Sequence, residues 1–146
     1  MSKSNSWENA LMLLLFNNSN AANIGDATGI RGAVTAGNLY ISLHTADPGE
    51  TGDQTTSEAN FTGYARVAVA RSGSGFTITA NQAVNANAIT FNACTAGSNT
   101  VTHVGIGTTG SGAGVLLYSS ALSASLAISN GITPEFAAGQ LTITED

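Results

Sequence analysis

Charge is what this sequence has least of. Asp, Glu, Lys and Arg together make up 9% of its 146 residues, where an ordinary soluble domain has about 25%. Its polar surface must come from Ser, Thr, Asn and Gln, with Gly and Ala between them. Such a surface suits a protein that meets other protein over much of its exterior, because interface centres are depleted in charge. Only Lys3, Arg31, Arg66 and Arg71 are basic, and the formal net charge is −5. Gripping a nucleic-acid backbone needs several Lys or Arg to neutralise phosphates. Nucleic acid is therefore not an expected partner.

Cysteine is nearly absent as well. The single Cys94 cannot close an internal disulfide, and nothing around it has metal or redox spacing, so it is expected to be a small core or half-buried residue. Aromatic residues are few, five Phe, three Tyr and one Trp, and most fall at inward strand positions. Little remains for an exposed sugar-binding surface. No apolar run is long enough to cross a membrane. The nearest, "ALMLLLF" at 10–16, is short, has Glu8 ahead of it and only Lys3 as a flanking cation, which argues against a signal peptide. A chain of this length buries roughly two-thirds of its unfolded surface. It needs neither disulfide nor metal to hold a core.

What is present starts with a helix. Asn5 followed by Glu8 forms a capping-box-like pair, and Trp7, Leu11, Leu14 and Leu15 then share one stripe at helical spacing, with Glu8 and Asn9 off it. The helix should end before "NNSN", and that stripe must dock, on its own domain or on a neighbouring subunit. Residues 17–37 lack periodicity and read as loop, of a length more often functional or ordered by a partner.

After Gly37 the period becomes two. "NLYISLHT" sets Leu39, Ile41 and Leu43 against Tyr40, Ser42 and His44, as a strand with one buried face would. "YARVAVAR" puts Ala65, Val67 and Val69 inward, with Tyr64 and Arg66 outward and expected to pair across the sheet, the alternative being to stack on a partner. The glycine-rich "SGSG" at 72–75 then predicts a hairpin to "FTITA". Further strands are expected in the second half of "VNANAITF" and at 101–107, 114–119, 124–129 and 140–145. About eight short runs separated by Gly, Ser and Asn turns imply a mainly β fold, an antiparallel β-sandwich or jelly-roll-like domain with a short N-terminal helix. The expected division is an arm, helix and loop over 1–37 and a β-domain over 38–146.

The residues with chemistry do not assemble into a catalytic site. His44 and His103 each lie in a strand without a second His at ligand spacing. Asp47, Glu50 and Asp53 follow an Asp-Pro-Gly turn in which Pro48 fixes φ, Gly49 permits a positive φ, and Asp47 can bond the backbone ahead. Their spacing is not that of a calcium loop. "GIGTTGSGAG" lacks the Lys and following helix of a phosphate loop and reads as a flexible inter-strand turn. No catalytic residue, metal ligand or cofactor is expected. The acidic tip is expected to face solvent or a partner.

The block "LYISLHTADPGETGDQTTSEANFTGYARVAVAR" at 39–71, with "VTHVGIGTTGSGAGVLLYSSAL" and "LAISNGITPEFAAGQLTI" further on, resembles small virion proteins of tailed bacteriophages, often labelled tail-fibre-like. The resemblance covers about 39–144. Some proteins similar to this one are capsid cement proteins of short-tailed phages with a jelly-roll-like fold. The resemblance implies a virion protein made in the host cytoplasm and placed on the capsid exterior. Its partner would be the major capsid protein, with dimer and trimer both open as homo-oligomeric states. It admits a tail-associated fibre or adhesin as the alternative. A fibre ordinarily shows repeats or heptads, and neither is present. The expected contacts are Trp7, Leu11, Leu14 and Leu15 on the helix and, secondarily, Asp47, Glu50 and Asp53 in the 46–60 loop.

Overall fold

The computed structural model describes residues 3–25, 29–30 and 32–145. Parts of the N-terminal arm, residues 1–2, 26–28 and Arg31, lie outside the described residues, as does 146. The fold is mainly β, with antiparallel sheets and one short N-terminal helix, as the patterning predicts. The chain divides into two compact units interleaved in sequence, one formed by 1–38, 70–89 and 136–146 and the other by 39–69 and 90–135.

The first unit carries helix α1 (Asn5–Asn17) and a sheet in the order β3 (Phe76–Thr79), β4 (Gln82–Asn85) and β9 (Thr142–Thr144). Glu8, Met12 and Phe16 are the buried helix residues, spaced four apart. Phe16 meets Phe76 edge to face with ring centroids 4.8 Å apart. The expected stripe of Trp7, Leu11, Leu14 and Leu15 is only half-buried. The inward line is thus rotated from the leucine-rich one, running through Glu8, Met12 and Phe16, with Phe16 seated on Phe76 of β3.

Capping also differs from expectation. Ser4, not Asn5, is the N-cap, and its carbonyl accepts from the N–H groups of Trp7 and Glu8 while its side chain makes no capping bond. At the other end Asn18 takes the left-handed conformation (φ 56°), and the Ser19 N–H reaches back to the Leu13 carbonyl at 3.0 Å, a Schellman-type closure. Arg71 completes it. Its guanidinium donates to the carbonyls of Leu15 (2.7 Å), Leu14 (2.8 Å) and Ala36 (3.0 Å), placing a cation where the helix dipole is negative.

The expected hairpin across 72–75 does not form. A tight turn is there, with the N–H groups of Gly75 and Phe76 both donating to the Ser72 carbonyl, but β2 (Val67–Ala70) is paired with β1 (Asn38–His44) and β3 with β4. The reversal between paired neighbours is instead at Ala80-Asn81, where Ala80 adopts φ 54°. Glycine marks where a chain can bend; it does not choose the strand's partner. Asn85 is 2% exposed, donates to Asn87 and Ala137 and accepts from the Leu141 N–H.

The second unit is built on the sheet β2-β1-β6-β7, where β6 is Asn99–Gly107 and β7 is Leu116–Ile128. β1 and β6 run antiparallel with Tyr40 opposite Gly107 and His44 opposite His103. β1 was expected to bury one face; from Ile41 to His44 every residue is buried. It is a central strand covered on both sides, so its polar alternates Ser42 and His44 are interior. The two runs expected at 114–119 and 124–129 are one thirteen-residue strand, β7, with a register shift opposite Val101–His103. The short strands β5 (Ile89–Thr90) and β8 (Glu135–Phe136) pair as a third sheet.

Candidate functional site

Asp47, Glu50 and Asp53 belong to a loop that leaves β1 at His44 and is fastened to the sheet beneath it. The Thr45 N–H donates to Ser57 and the Ala59 N–H to Leu43, closing the loop base. Inside it, the Asp47 carboxylate accepts from the Gly49 N–H at 2.9 Å, and Gly49 has φ 68°. This is the Asx turn that Asp-Pro-Gly predicts. Asp53 serves a second turn: one carboxylate oxygen accepts from the Thr55 N–H (2.8 Å) and hydroxyl (2.6 Å). Those bonds, above all the Thr55 hydroxyl, hold its carboxyl below the usual carboxylate range. Asp47 and Glu50 are exposed.

Buried polar side chains hold this loop from below. Gln54 is fully buried; its amide oxygen accepts from the Thr109 N–H (3.0 Å) and its amide nitrogen donates to the Thr109 carbonyl (3.2 Å). His44 is fully buried too. One ring nitrogen, Nδ1, lies 2.8 Å from the Thr56 carbonyl, which can only accept, so Nδ1 carries the proton. Nε2 is then the acceptor for the Ser42 hydroxyl at 2.8 Å. Burial lowers the His44 pKa, partly offset by the Thr56 bond. Ser42 and His44 thus stand at the distance of a nucleophile and its base, yet both are 0% exposed. A carbonyl stands where such a pair would need an orienting carboxylate. It is a structural pair.

Glu58 lies at the far end of the same loop. Its carboxylate takes two parallel bonds from Arg66, from Nε (2.7 Å) and Nη2 (2.8 Å), and a third from the Tyr64 hydroxyl (2.8 Å). Arg66 further donates to the Thr109 carbonyl, and Tyr64 accepts from the Leu43 N–H. Burial pushes the Tyr64 hydroxyl pKa up, and the Glu58 carboxylate keeps Arg66 charged. The cross-strand pairing expected of Tyr64 and Arg66 is replaced by convergence on this one carboxylate. Sequence reading passed over Glu58 and Gln54. The alternation of strands carries no trace of them, because both are loop residues folded inward.

Two glycines make room for these groups. A Cβ on Gly105 would come within 2.6 Å of both His44 Nε2 and Ser42 Oγ, and one on Gly107 would overlap the Gln54 side chain. Both lie in β6, so the glycine-rich run expected to be a flexible turn begins inside a strand. Cys94 is buried, its thiol near the carbonyls of Ala96 and Gly97. Half-buried His103 bonds the Thr102 hydroxyl through Nδ1.

Two candidate surfaces result, one in each unit. On α1, Trp7, Leu11, Leu14 and Leu15 keep part of their apolar area uncovered. In the second unit, Asp47, Gly49, Glu50 and Gly52 form one lip of an open cleft of about 450 Å³, and Leu116, Leu117, Tyr118 and Ser119 of β7 form the other. Asp53 does not line it. No group of three or more His, Cys, Asp or Glu able to hold a metal occurs among the described residues, and no helix among them is long and apolar enough to cross a membrane.

Residues 2–144 match the sequence pattern of the family described as Podophage GP4 fiber I protein gp80. Among curated proteins, none matches the chain.

Proposed function

Because the chain belongs to the Podophage GP4 fiber I protein gp80 family, a family of structural phage proteins, we propose that it is a capsid cement protein. In this reading it bridges major-capsid subunits on the outside of the shell. The observation that carries the reading is the 46–60 loop, whose exposed tip rests on the buried groups of His44, Gln54 and Glu58–Arg66. A contact surface fixed in advance loses little conformational entropy when it docks. Many copies binding only the assembled shell stabilise it by mass action, without chemistry at any one site. The half-buried leucines of α1 offer a second contact. The protein acts as a closed homo-oligomer, dimer or trimer, and needs no metal, cofactor or catalytic residue for this role.

One observation favours a second reading. The family's description is that of a fibre, which supports a tail-associated subunit using the same surfaces against tail proteins or the host surface. Quantitative mass spectrometry of DNA-filled heads, isolated tails and whole virions separates the two. Copies in large excess over tail components and retained by heads support the cement role. Few copies following the tails overturn it in favour of the fibre.

A further inference from the structure

β7 spans thirteen residues, yet only Ile128 in it is buried. It ends the order β2-β1-β6-β7, so its side away from β6 has no strand partner among the described residues. Proteins usually blunt such an edge with a charge, a proline, a bulge or mere shortness. The opposite edge, β2, is four residues long. In β7 register shifts lie on both sides of the run Tyr118–Ala121, one at Leu117 and one opposite Val101–His103, but "LLYSSALSASLAI" has no charge and no proline, and Tyr118–Ala121 pairs with β6 over consecutive residues. An uncharged edge of this kind is a template for an added strand.

The charge beside that edge indicates what is added. Leu116–Ser119 line the same cleft as Asp47 and Glu50. The described cations of this chain are all engaged elsewhere: Lys3 with Glu145 at 3.0 Å, Arg66 with Glu58, and Arg71 with the carbonyls that close α1. A second copy therefore brings no free described cation to the cleft. We propose that the edge of β7 and its acidic lip dock an extended segment of another virion protein, which adds as a strand along Tyr118–Ala121 and places a Lys or Arg against Asp47 and Glu50. The partner's being a virion protein rests on the reading above; the chemistry of the segment does not.

The test uses the full chain and a capped peptide of alternating Thr and Val with two Lys near one end, followed by backbone NMR. Expected are shifts confined to 116–121 and 47–52, and binding weakened about threefold by each of Asp47→Asn and Glu50→Gln, as for exposed charge pairs. Raised salt should weaken binding in the same direction, and Ser119→Lys, which adds a like charge on an exposed position, should reduce it further. Equal binding of the same peptide with Glu in place of Lys overturns the proposal. So does the absence of shifts at millimolar peptide. Concentration-dependent dimerisation that Ser119→Lys abolishes would make a second copy the occupant, which also overturns it. Copy counts in heads and tails are independent of all these outcomes, so the two readings fail separately.

Discussion

Arg66 and Glu58 face each other through two parallel hydrogen bonds of 2.7 and 2.8 Å, with the Arg66 side chain 3% exposed and that of Glu58 16%. Such a bidentate pair aligns both groups and fixes their geometry. Because the charges are largely removed from water, breaking the pair costs more than the pair contributes. Arg66→Met, which leaves the Glu58 carboxylate with only the Tyr64 hydroxyl, should lower unfolding free energy by about 3 kcal/mol in urea titrations. Arg66→Met combined with Glu58→Gln should cost less than the two single changes added together. Strict additivity would mean that the two side chains are not coupled.

Tyr64→Phe tests the same cluster from another side. It removes the bond to Glu58 and the bond from the Leu43 N–H. The expected loss is about 1–3 kcal/mol, since the buried amide is left without an acceptor. A thermal melt equal to that of the wild type would show that water replaces the phenol.

His44 should make stability depend on pH. Burial lowers its folded pKa below the ordinary 6.5, so between the two values the unfolded state binds more protons. The stabilising contribution is complete above about pH 6.5 and is lost progressively as pH falls from there to the folded pKa. Chemical denaturation between pH 8 and 5 should show this slope, and His44→Gln should flatten it while lowering stability throughout. An unchanged slope in the variant would place the titration elsewhere.

Gly105→Ala probes the close approach of β6 to the Ser42–His44 pair. The new methyl would meet two buried polar atoms at 2.6 Å, and neither is the end of a side chain free to swing away. A loss of about 1–3 kcal/mol is expected from overpacking. Gly112→Ala offers the comparison, because no atom lies within 4 Å of its Cβ position and its cost would come from φ 73° alone. If Gly105→Ala costs no more than Gly112→Ala, the packing argument fails.

Cys94 gives a simple reporter of opening. Its thiol is buried, so it should resist a thiol reagent such as DTNB in the native protein and react at once in denaturant. Rapid reaction under native conditions would contradict the burial of Cys94.

The sequence by itself determined the features that depend on neighbours a few residues away. Alternation at 39–44 placed β1, and Asp47-Pro48-Gly49 specified a turn with the Asp47–Gly49 bond and a positive φ at Gly49. The isolated cysteine was legible as a buried residue, and the mainly β class followed from many short runs between turns. These properties arise from local steric and hydrogen-bonding preferences, which a short window contains. Only the tertiary structure decided which strands pair: β2 lies beside β1 rather than β3, and the turn at 72–75 has the same sequence either way. Burial of both faces of β1 followed from its central place in the sheet, which turned Ser42 and His44 from expected surface groups into interior ones. The convergence of Tyr64 and Arg66 on Glu58, and the close approach of Gly105 to His44 and of Gly107 to Gln54, join residues from distant parts of the chain. The energies that select those contacts exist only once the loop has closed on the sheet, so no local pattern encodes them.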